Sequence, residues 1–214
     1  MLARHGITIR GDIRRERVGP QRLLQPGVAI VAEHVTPLPA ILSRIGKNSQ
    51  NLFAECLLKR LGHERALRKG RSPAVGSWET GREAVLEFCA DAGIDVAGMV
   101  VSDGSGLSRD NRATARQFAA VLAHTYRHEH RDVFIGALST AGEDGSLSRR
   151  MGDVAGRVLA KTGYMHGVRT LSGYVQTDAG RRLCFSVMFN GFKGSSAPFN
   201  RLHDDFCRAL TSWE

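Results

Sequence analysis

Long apolar runs are missing from this chain. A membrane-spanning helix needs roughly 18 to 20 consecutive apolar residues, and the best this sequence offers are the short stretches Ala97–Val101 and Cys184–Phe189. No span is expected. The first ten residues, MLARHGITIR, have neither an apolar core nor a small-residue cleavage site, so they do not read as a secretory signal. Cysteine is sparse: Cys56, Cys89, Cys184 and Cys207 stand far apart, without CxxC or other metal-ligand spacing. That argues against a cysteine-bound metal. Each cysteine lies in an apolar periodic stretch and reads as a small buried hydrophobe, although the even count leaves a disulfide open. Aromatic residues are few, 7%, and are not interleaved with the basic ones, so no base-stacking platform is suggested. Lysine is the scarce base: only Lys47, Lys59, Lys69, Lys161 and Lys193 among 30 basic residues.

What remains is the composition of a folded protein. Hydrophobic residues at 42% and charged residues at 24% exclude disorder, collagen-like repeats and low-complexity polymers, and 214 residues suffice for one domain of ordinary core size. The net charge of +9 admits an anionic partner such as nucleic acid, a lipid surface or an acidic polymer. The basic residues scatter, however, with small clusters at Arg14, Arg15 and Arg17 and at Arg65, Arg68, Lys69 and Arg71, and a solvated basic face is the simpler reading.

Residues 1–37 read as short extended pieces, with alternation at Ile7–Arg10, a strand-like Val28–Ala32 and Gly-Pro punctuation. From Leu38 the pattern turns helical, breaks at Gly46-Lys47-Asn48-Ser49, and resumes with Leu52, Phe53, Cys56, Leu57 and Leu61 at spacings of three and four. This predicts a helix with Ser49 near its N-terminus and Leu52, Phe53, Cys56 and Leu57 facing the core. Further helices are expected at about Ser77–Ala92, capped by Ser77 or Thr80 and stopped by Gly93, at Thr114–Tyr126, after Arg131, and at Phe199–Trp213 with Leu202, Phe206 and Leu210 in register. Val96–Val101 reads as a buried strand. Val158–Tyr164, Val168–Gln176 and Arg182–Phe189 read as three strands whose short connections force antiparallel pairing.

Three short elements could carry chemistry: Ser49-Gln50-Asn51 at a helix start, the turn Ser102–Ser108, and Lys161-Thr162-Gly163 in a strand. Singly they read as an N-cap, a turn and an edge-strand bulge. His124 and His128, spaced i, i+4, with His130 beyond them, raise a metal site, but a helix end rich in His and Arg accounts for them and no metal is assigned.

Taken in order, the elements form the S-x-N and K-T-G of the serine β-lactamase and penicillin-binding group. The surrounding text, KNSQNLFAECLLKRLG, VSDGSGLSRDNRAT, LSTAGEDGSLSRRM and LAKTGYMHGVRTLSGYV, resembles the D-alanyl-D-alanine carboxypeptidase/endopeptidase family of class C penicillin-binding proteins, peptidase family S13, over nearly the whole chain. One element of that family is absent. The residues three positions before the five lysines are Arg44, Cys56, Ala66, Val158 and Asn190, so there is no S-x-x-K. The resemblance implies that the nucleophile lies upstream and that this chain is the C-terminal portion of such an enzyme.

The fold so implied is α/β (α+β), serine β-lactamase/transpeptidase-like, an antiparallel sheet flanked by helices and incomplete at the N-terminus. Residues 1–37 would be strands and connections entering the transpeptidase domain, and residues 38–214 its C-terminal part. The implied activity is that of a serine D-Ala-D-Ala carboxypeptidase, with endopeptidase action possible, acting on peptidoglycan stem peptides, open to β-lactams, periplasmic in the full-length protein, and without cofactor, metal or nucleic-acid partner. By the same resemblance Ser49, Asn51 and Lys161 are catalytic. Ser49 relays a proton to the leaving D-alanine, and Asn51 holds the acyl-donor peptide and positions the lysine beside the nucleophile. Lys161, protonated at neutral pH unless desolvated, anchors the substrate carboxylate; Thr162 adds a hydroxyl hydrogen bond, Gly163 leaves the strand face open, and the Tyr164 N–H is one oxyanion donor. Tyr164 departs from the small hydroxyl residue common after K-T-G, so only its backbone role carries over. Asp103–Ser108 and Asp144–Ser146 are read as shaping nearby loops, and His166 as a possible substrate contact. Two rival readings stand beside this one, a noncatalytic remnant that binds peptidoglycan peptide or a partner chain, and a basic nucleic-acid-binding module.

Overall fold

The computed structural model describes residues 34–214 together with residues 4, 6, 8, 10–12 and 26. The expectations for residues 28–32, and for half of the alternation at residues 7–10, fall outside the described residues. Backbone contacts divide the chain into residues 1–36 and 37–214, and all elements below belong to the second unit.

Helix α1, Leu38–Gly46, carries a proline in its first turn, where a missing N–H costs no helical bond. It is followed by α2, Asn51–Arg68, and α3, Trp78–Asp91. α3 begins where the sequence places it, because Ser77 and Thr80 form a capping box, and α4, Ala115–Arg127, begins on the corresponding box of Thr114 and Gln117. The short α5, Arg131–Gly136, leads to a two-residue strand β1, Ser139–Thr140, which the sequence reading did not foresee. Two 3-10 turns, Gly145–Leu147 and Gly152–Val154, precede the strands β2, Val158–Met165, β3, Val168–Gln176, and β4, Arg182–Asn190. The last helix is α6, Ala197–Thr211. The sheet order is β1-β2-β3-β4, antiparallel throughout. β2 and β3 join through a two-residue turn in which Gly167, at φ 73°, supplies the left-handed residue such hairpins need.

Both faces of the sheet are covered. On one, Val158, Ala160, Leu171, Val175 and Phe185 pack with Cys207 of α6 and with Leu147 and Met151 of the turns. On the other, Tyr174 is buried with Leu122 and Leu138 and donates its hydroxyl proton to the Leu122 carbonyl at 2.7 Å. Burial on both sides explains why residues 173–175 are buried consecutively instead of alternating.

The predicted core face of α2 is wrong by a rotation. Leu58, Gly62 and Ala66 are buried, whereas Leu52 is 72% exposed, Cys56 is exposed, and Phe53 and Leu57 are only half-buried. The reason is the partner. α3 approaches so closely that a Cβ on Gly62 would lie 2.3 Å from Thr80 Oγ1, and one on Gly81 would lie 2.4 Å from the Leu58 carbonyl. Helices this close need a small-residue stripe, and the bulkier apolar stripe is left outside. The same one-residue displacement occurs on α6, where His203, Cys207 and Thr211 are buried while Leu202 and Phe206 are exposed. Residues 96–101 do not form a strand: Gly98 turns at φ 70°, only Val100 bridges to Arg112, and the Asp95 and Ala97 carbonyls are satisfied by the Gln117 amide. All four cysteines are free, and Cys56 is not the buried hydrophobe expected.

The α2 register predicts that Leu58→Ala costs about 2 to 5 kcal/mol in urea unfolding, while Leu52→Ala stays within about 0.5 kcal/mol. His203 supplies a pH test. It is 1% exposed, with the tilted Phe189 ring at 5.0 Å. Burial, reinforced by the Arg150 cation, holds its pKa down at about 4 against a usual 6.5. The unfolded chain therefore takes up the proton first, so this contribution is complete above pH 6.5 and lost as pH falls toward 4, about 3 kcal/mol in all. Denaturant titrations at pH 7 and pH 4 should show the drop, and His203→Phe should shrink it.

Candidate active site

Ser49 sits in the link between α1 and α2, and that link has little freedom. Gly46 at the end of α1 packs so tightly on the link between α5 and β1 that a Cβ would fall 2.0 Å from the Ala137 carbonyl. The Gln50 N–H donates to the Arg44 carbonyl at 3.1 Å, closing the turn. Ser49 takes a left-handed conformation, φ 53°, sparsely populated by residues other than glycine and costly to hold. It is not the N-cap of α2; that position is Gln50, which makes no side-chain cap bond. The Ser49 hydroxyl instead points away, and its oxygen accepts a proton from Lys161 Nζ at 2.8 Å, across 112 positions of sequence. Asn51 opens α2 with an exposed side chain that makes no hydrogen bond among the described residues.

Lys161 lies on β2, which borders an open edge. β1 pairs only with Leu159 and Ala160, so beyond Ala160 no described strand pairs with β2 on that side. The Val158 carbonyl accepts from Ala141 N–H at 2.9 Å and so faces the β1 side. Two-residue alternation then directs the N–H and C=O of Thr162 and Tyr164 to the open side. Lys161 Nζ also donates to the Thr162 carbonyl at 2.6 Å. Desolvation lowers the Lys161 pKa, and among the described residues the ammonium has no acidic partner. Gly163 lies close under its neighbour on β3, where a Cβ would meet Thr170 Oγ1 at 2.2 Å and the threonine side chain would have to turn away. The Tyr164 ring, 61% exposed, lies over the Arg169 guanidinium at 3.8 Å.

A third wall comes from the turn after β1. Asp144 accepts from Lys47 and, at 2.8 Å, from Thr140 N–H, so one carboxylate ties the Ser49 link to the turn. The Thr162 hydroxyl donates to Ser146 Oγ at 2.9 Å, and Ser146 Oγ lies 3.2 Å from Ser139 Oγ. Sequence reading gave Lys47 and Ser139 no part in the site, and Ser146 only the shaping of a nearby loop. Lys47 was marked by the scarcity of lysine and by its place in KNSQNLFAECLLKRLG, the two serines only by their place in LSTAGEDGSLSRRM.

The 102–108 segment closes the neighbourhood through Glu55, one turn into α2. Its carboxylate accepts from Gly104 N–H and Ser105 N–H, both at 3.0 Å, and from the Trp78 indole at 2.7 Å. Burial pushes the Glu55 carboxyl up, but the Ser105 side chain and these donors outweigh it and hold the pKa at about 2. Asp103 braces the same loop by accepting from Gly106, Ser108 and Asn111. At its far end Arg109 donates to the His166 carbonyl at 3.2 Å, which brings the loop against the β2–β3 turn. His124, His128 and His130 follow one another with tilted rings, centroids 6.4 and 5.3 Å apart, and among the described residues no group of three or more His, Cys, Asp or Glu is placed to hold a metal ion.

The site therefore joins the segments carrying S-x-N and K-T-G. The model of the D-Ala-D-Ala carboxypeptidase 3 (S13) family matches residues 1–205. The chain belongs to that family. It is 36% identical over 201 residues to a D-alanyl-D-alanine carboxypeptidase of Actinomadura sp. (strain R39), an alignment covering 90% of this chain and 35% of the relative. The chain spans about a third of the length of the curated relatives it matches. Among solved structures, penicillin binding protein 4 (dacB) of Haemophilus influenzae, complexed with a β-lactam, superposes with a TM-score of 0.73 at 26% identity, over 83% of this chain and 42% of that one. The TLA-1 extended spectrum β-lactamase, at 15% identity and a TM-score of 0.61 over 81% of this chain and 63% of that one, shares the fold. The antiparallel sheet flanked by helices is thus of the β-lactamase/transpeptidase type.

Glu55→Gln should destabilise the protein by about 1 kcal/mol at neutral pH, because three part-buried or exposed N–H donors lose a charged acceptor. With its pKa depressed in the fold, the Glu55 contribution is complete above pH 4.5 and lost as pH falls toward 2. Unfolding midpoints measured between pH 5 and pH 2 should fall less steeply in the variant than in the parent.

Proposed function

We propose that this chain forms the substrate-anchoring part of a serine-type D-Ala-D-Ala carboxypeptidase of peptidoglycan metabolism, able also to act as an endopeptidase, with the acyl-enzyme formed on a serine outside this sequence. The observation that carries the reading is Lys161, a desolvated ammonium without an acidic partner among the described residues, 2.8 Å from Ser49 Oγ beside an open strand edge. Its substrate is a stem peptide ending in D-Ala-D-Ala, with β-lactams as mimics, and its place is the periplasm, where that polymer lies. Residues 38–214 are the C-terminal part of the penicillin-binding domain, and residues 1–37 lead into it.

The peptide lies along the open edge of β2 as an added strand. Lys161 holds its terminal carboxylate, a charge-assisted contact, and the Thr162 hydroxyl supports that contact from the same strand. The nucleophilic serine adds to the carbonyl of the penultimate residue, and the oxyanion that forms takes the Tyr164 N–H as one donor. Ser49 oxygen already accepts a hydrogen bond from Lys161, so its own hydroxyl proton is free to go to the leaving D-alanine nitrogen as the C–N bond breaks, and the proton given up by the attacking serine replaces it on Ser49. Asn51 holds the acyl-donor side of the peptide and positions the lysine beside the nucleophile. Water then cleaves the ester and restores the serine.

Penicillin labelling tests this. The protein encoded with this sequence should bind one equivalent of fluorescent penicillin in a hydroxylamine-sensitive bond and release D-alanine from a D-Ala-D-Ala peptide. Residues 1–214 alone, which contain no S-x-x-K, should take up none. In the labelled protein, Lys161→Ala should slow acylation by about 100-fold. Wild-type acylation rates in that variant, or a label mapped to a serine within residues 1–214, would refute the assignment.

A further inference from the structure

We propose that Ser146 is the direct hydroxyl donor to the substrate's terminal carboxylate, so that the anchor consists of Lys161 and Ser146, with Thr162 acting through Ser146, to which it gives its own hydroxyl proton. The inference rests on the reading of the site given above and adds a residue to it. The argument is a count of hydroxyl protons. A serine hydroxyl has one proton to give and two lone pairs to receive with. Ser139 is fully buried, and its oxygen already accepts the Ser146 N–H at 3.1 Å. Its own proton needs an acceptor, since an unsatisfied buried hydroxyl is costly. Among the described residues the acceptor within reach is Ser146 Oγ, at 3.2 Å. The Thr162 hydroxyl donates to the same atom at 2.9 Å. Ser146 oxygen therefore receives two protons, and both of its lone pairs are used. Its single proton has no acceptor among the described residues, and its side chain is exposed.

The position suits an anion. Ser146 touches Thr162, whose carbonyl accepts from Lys161 Nζ, and it stands where β1 ends and the open edge of β2 begins. The turn that carries it is held from three sides. Asp144 accepts from Lys47 and from Thr140 N–H. Gly145, at φ 57°, lies so close to its neighbours that a Cβ would be 2.3 Å from Ser139 Oγ and 3.0 Å from the Lys47 carbonyl. Leu147 is fully buried. The hydroxyl is thus presented on a backbone that cannot swing away. A donor that two other hydroxyls feed is polarised toward giving its proton, and a carboxylate, with two acceptor oxygens, can take this proton while Lys161 holds the other oxygen.

The test compares two substrates in the protein encoded with this sequence: a peptide ending in D-Ala-D-Ala as the free acid, and the same peptide ending as the amide. Ser146→Ala should lower kcat/KM for the acid by about 10-fold or more and change the amide by less than about 2-fold. Ser146→Thr, which keeps the hydroxyl, should restore most of the loss. Equal losses on both peptides would show that Ser146 only shapes the turn, and no loss on the acid would show that it does not touch the carboxylate; either overturns the proposal. If the parent protein neither cleaves the acid nor takes up penicillin, the reading of the site itself fails and the proposal with it, a result distinct from the other two.

Discussion

The close approach of Gly46 to the Ala137 carbonyl governs the geometry of the site. A side chain there would need space that the backbone of the neighbouring segment occupies, so the end of α1 and the entry to β1 stand at one separation. From that contact the chain has three residues in which to reach Ser49, and it does so by closing a hydrogen bond from Gln50 back to Arg44 and placing Ser49 in the left-handed region. Strain of this kind persists only where the surroundings over-determine it. Here they do: Lys47 pairs with Asp144, Gly145 fits under the Lys47 carbonyl, and Lys161 donates to the strained serine.

These polar contacts set position more than stability. The Lys47–Asp144 pair is partly open to solvent, 25% and 38% exposed, and pairs of that kind contribute on the order of 1 kcal/mol or less. Stability comes from the sheet, which is covered on both faces by apolar groups such as Val158, Leu171 and Val175 on one side and Leu122 and Tyr174 on the other. The division matters for chemistry. A well-packed sheet holds β2 rigid, and a rigid strand can keep Lys161 desolvated beside a neutral hydroxyl instead of letting it reach for a carboxylate. The acids nearby are occupied: Glu55 by the amides of the 102–108 loop, Asp103 by the same loop, and Asp144 by Lys47.

Much of this was legible from local sequence. The bounds of β3 match the reading residue for residue, and β2 and β4 differ by one residue at their ends, because alternation and a two-residue turn are properties of adjacent residues. The starts of α3 and α4 were readable because a capping box is complete within four residues. The order of S-x-N and K-T-G, with the scarcity of lysine, singled out Ser49 and Lys161 before any contact between them was known.

What only the tertiary structure decided was orientation. The large apolar stripe of α2 lost the core to Leu58, Gly62 and Ala66, because helix packing selects the face that lets two backbones come close, and that depends on α3. Residues 96–101 are apolar enough for a strand, but among the described residues their one backbone bridge is Val100 with Arg112, so no ladder forms. Ser139 and Ser146 acquire meaning from Thr162, which lies 16 positions beyond Ser146 in sequence. Sequence by itself determined which residues could do chemistry and in which elements they lie, since those follow from side-chain type and short-range periodicity. Folding decided which hydroxyl gives its proton to which, because a hydrogen bond is settled by distance in space and by the competition of every other donor within reach.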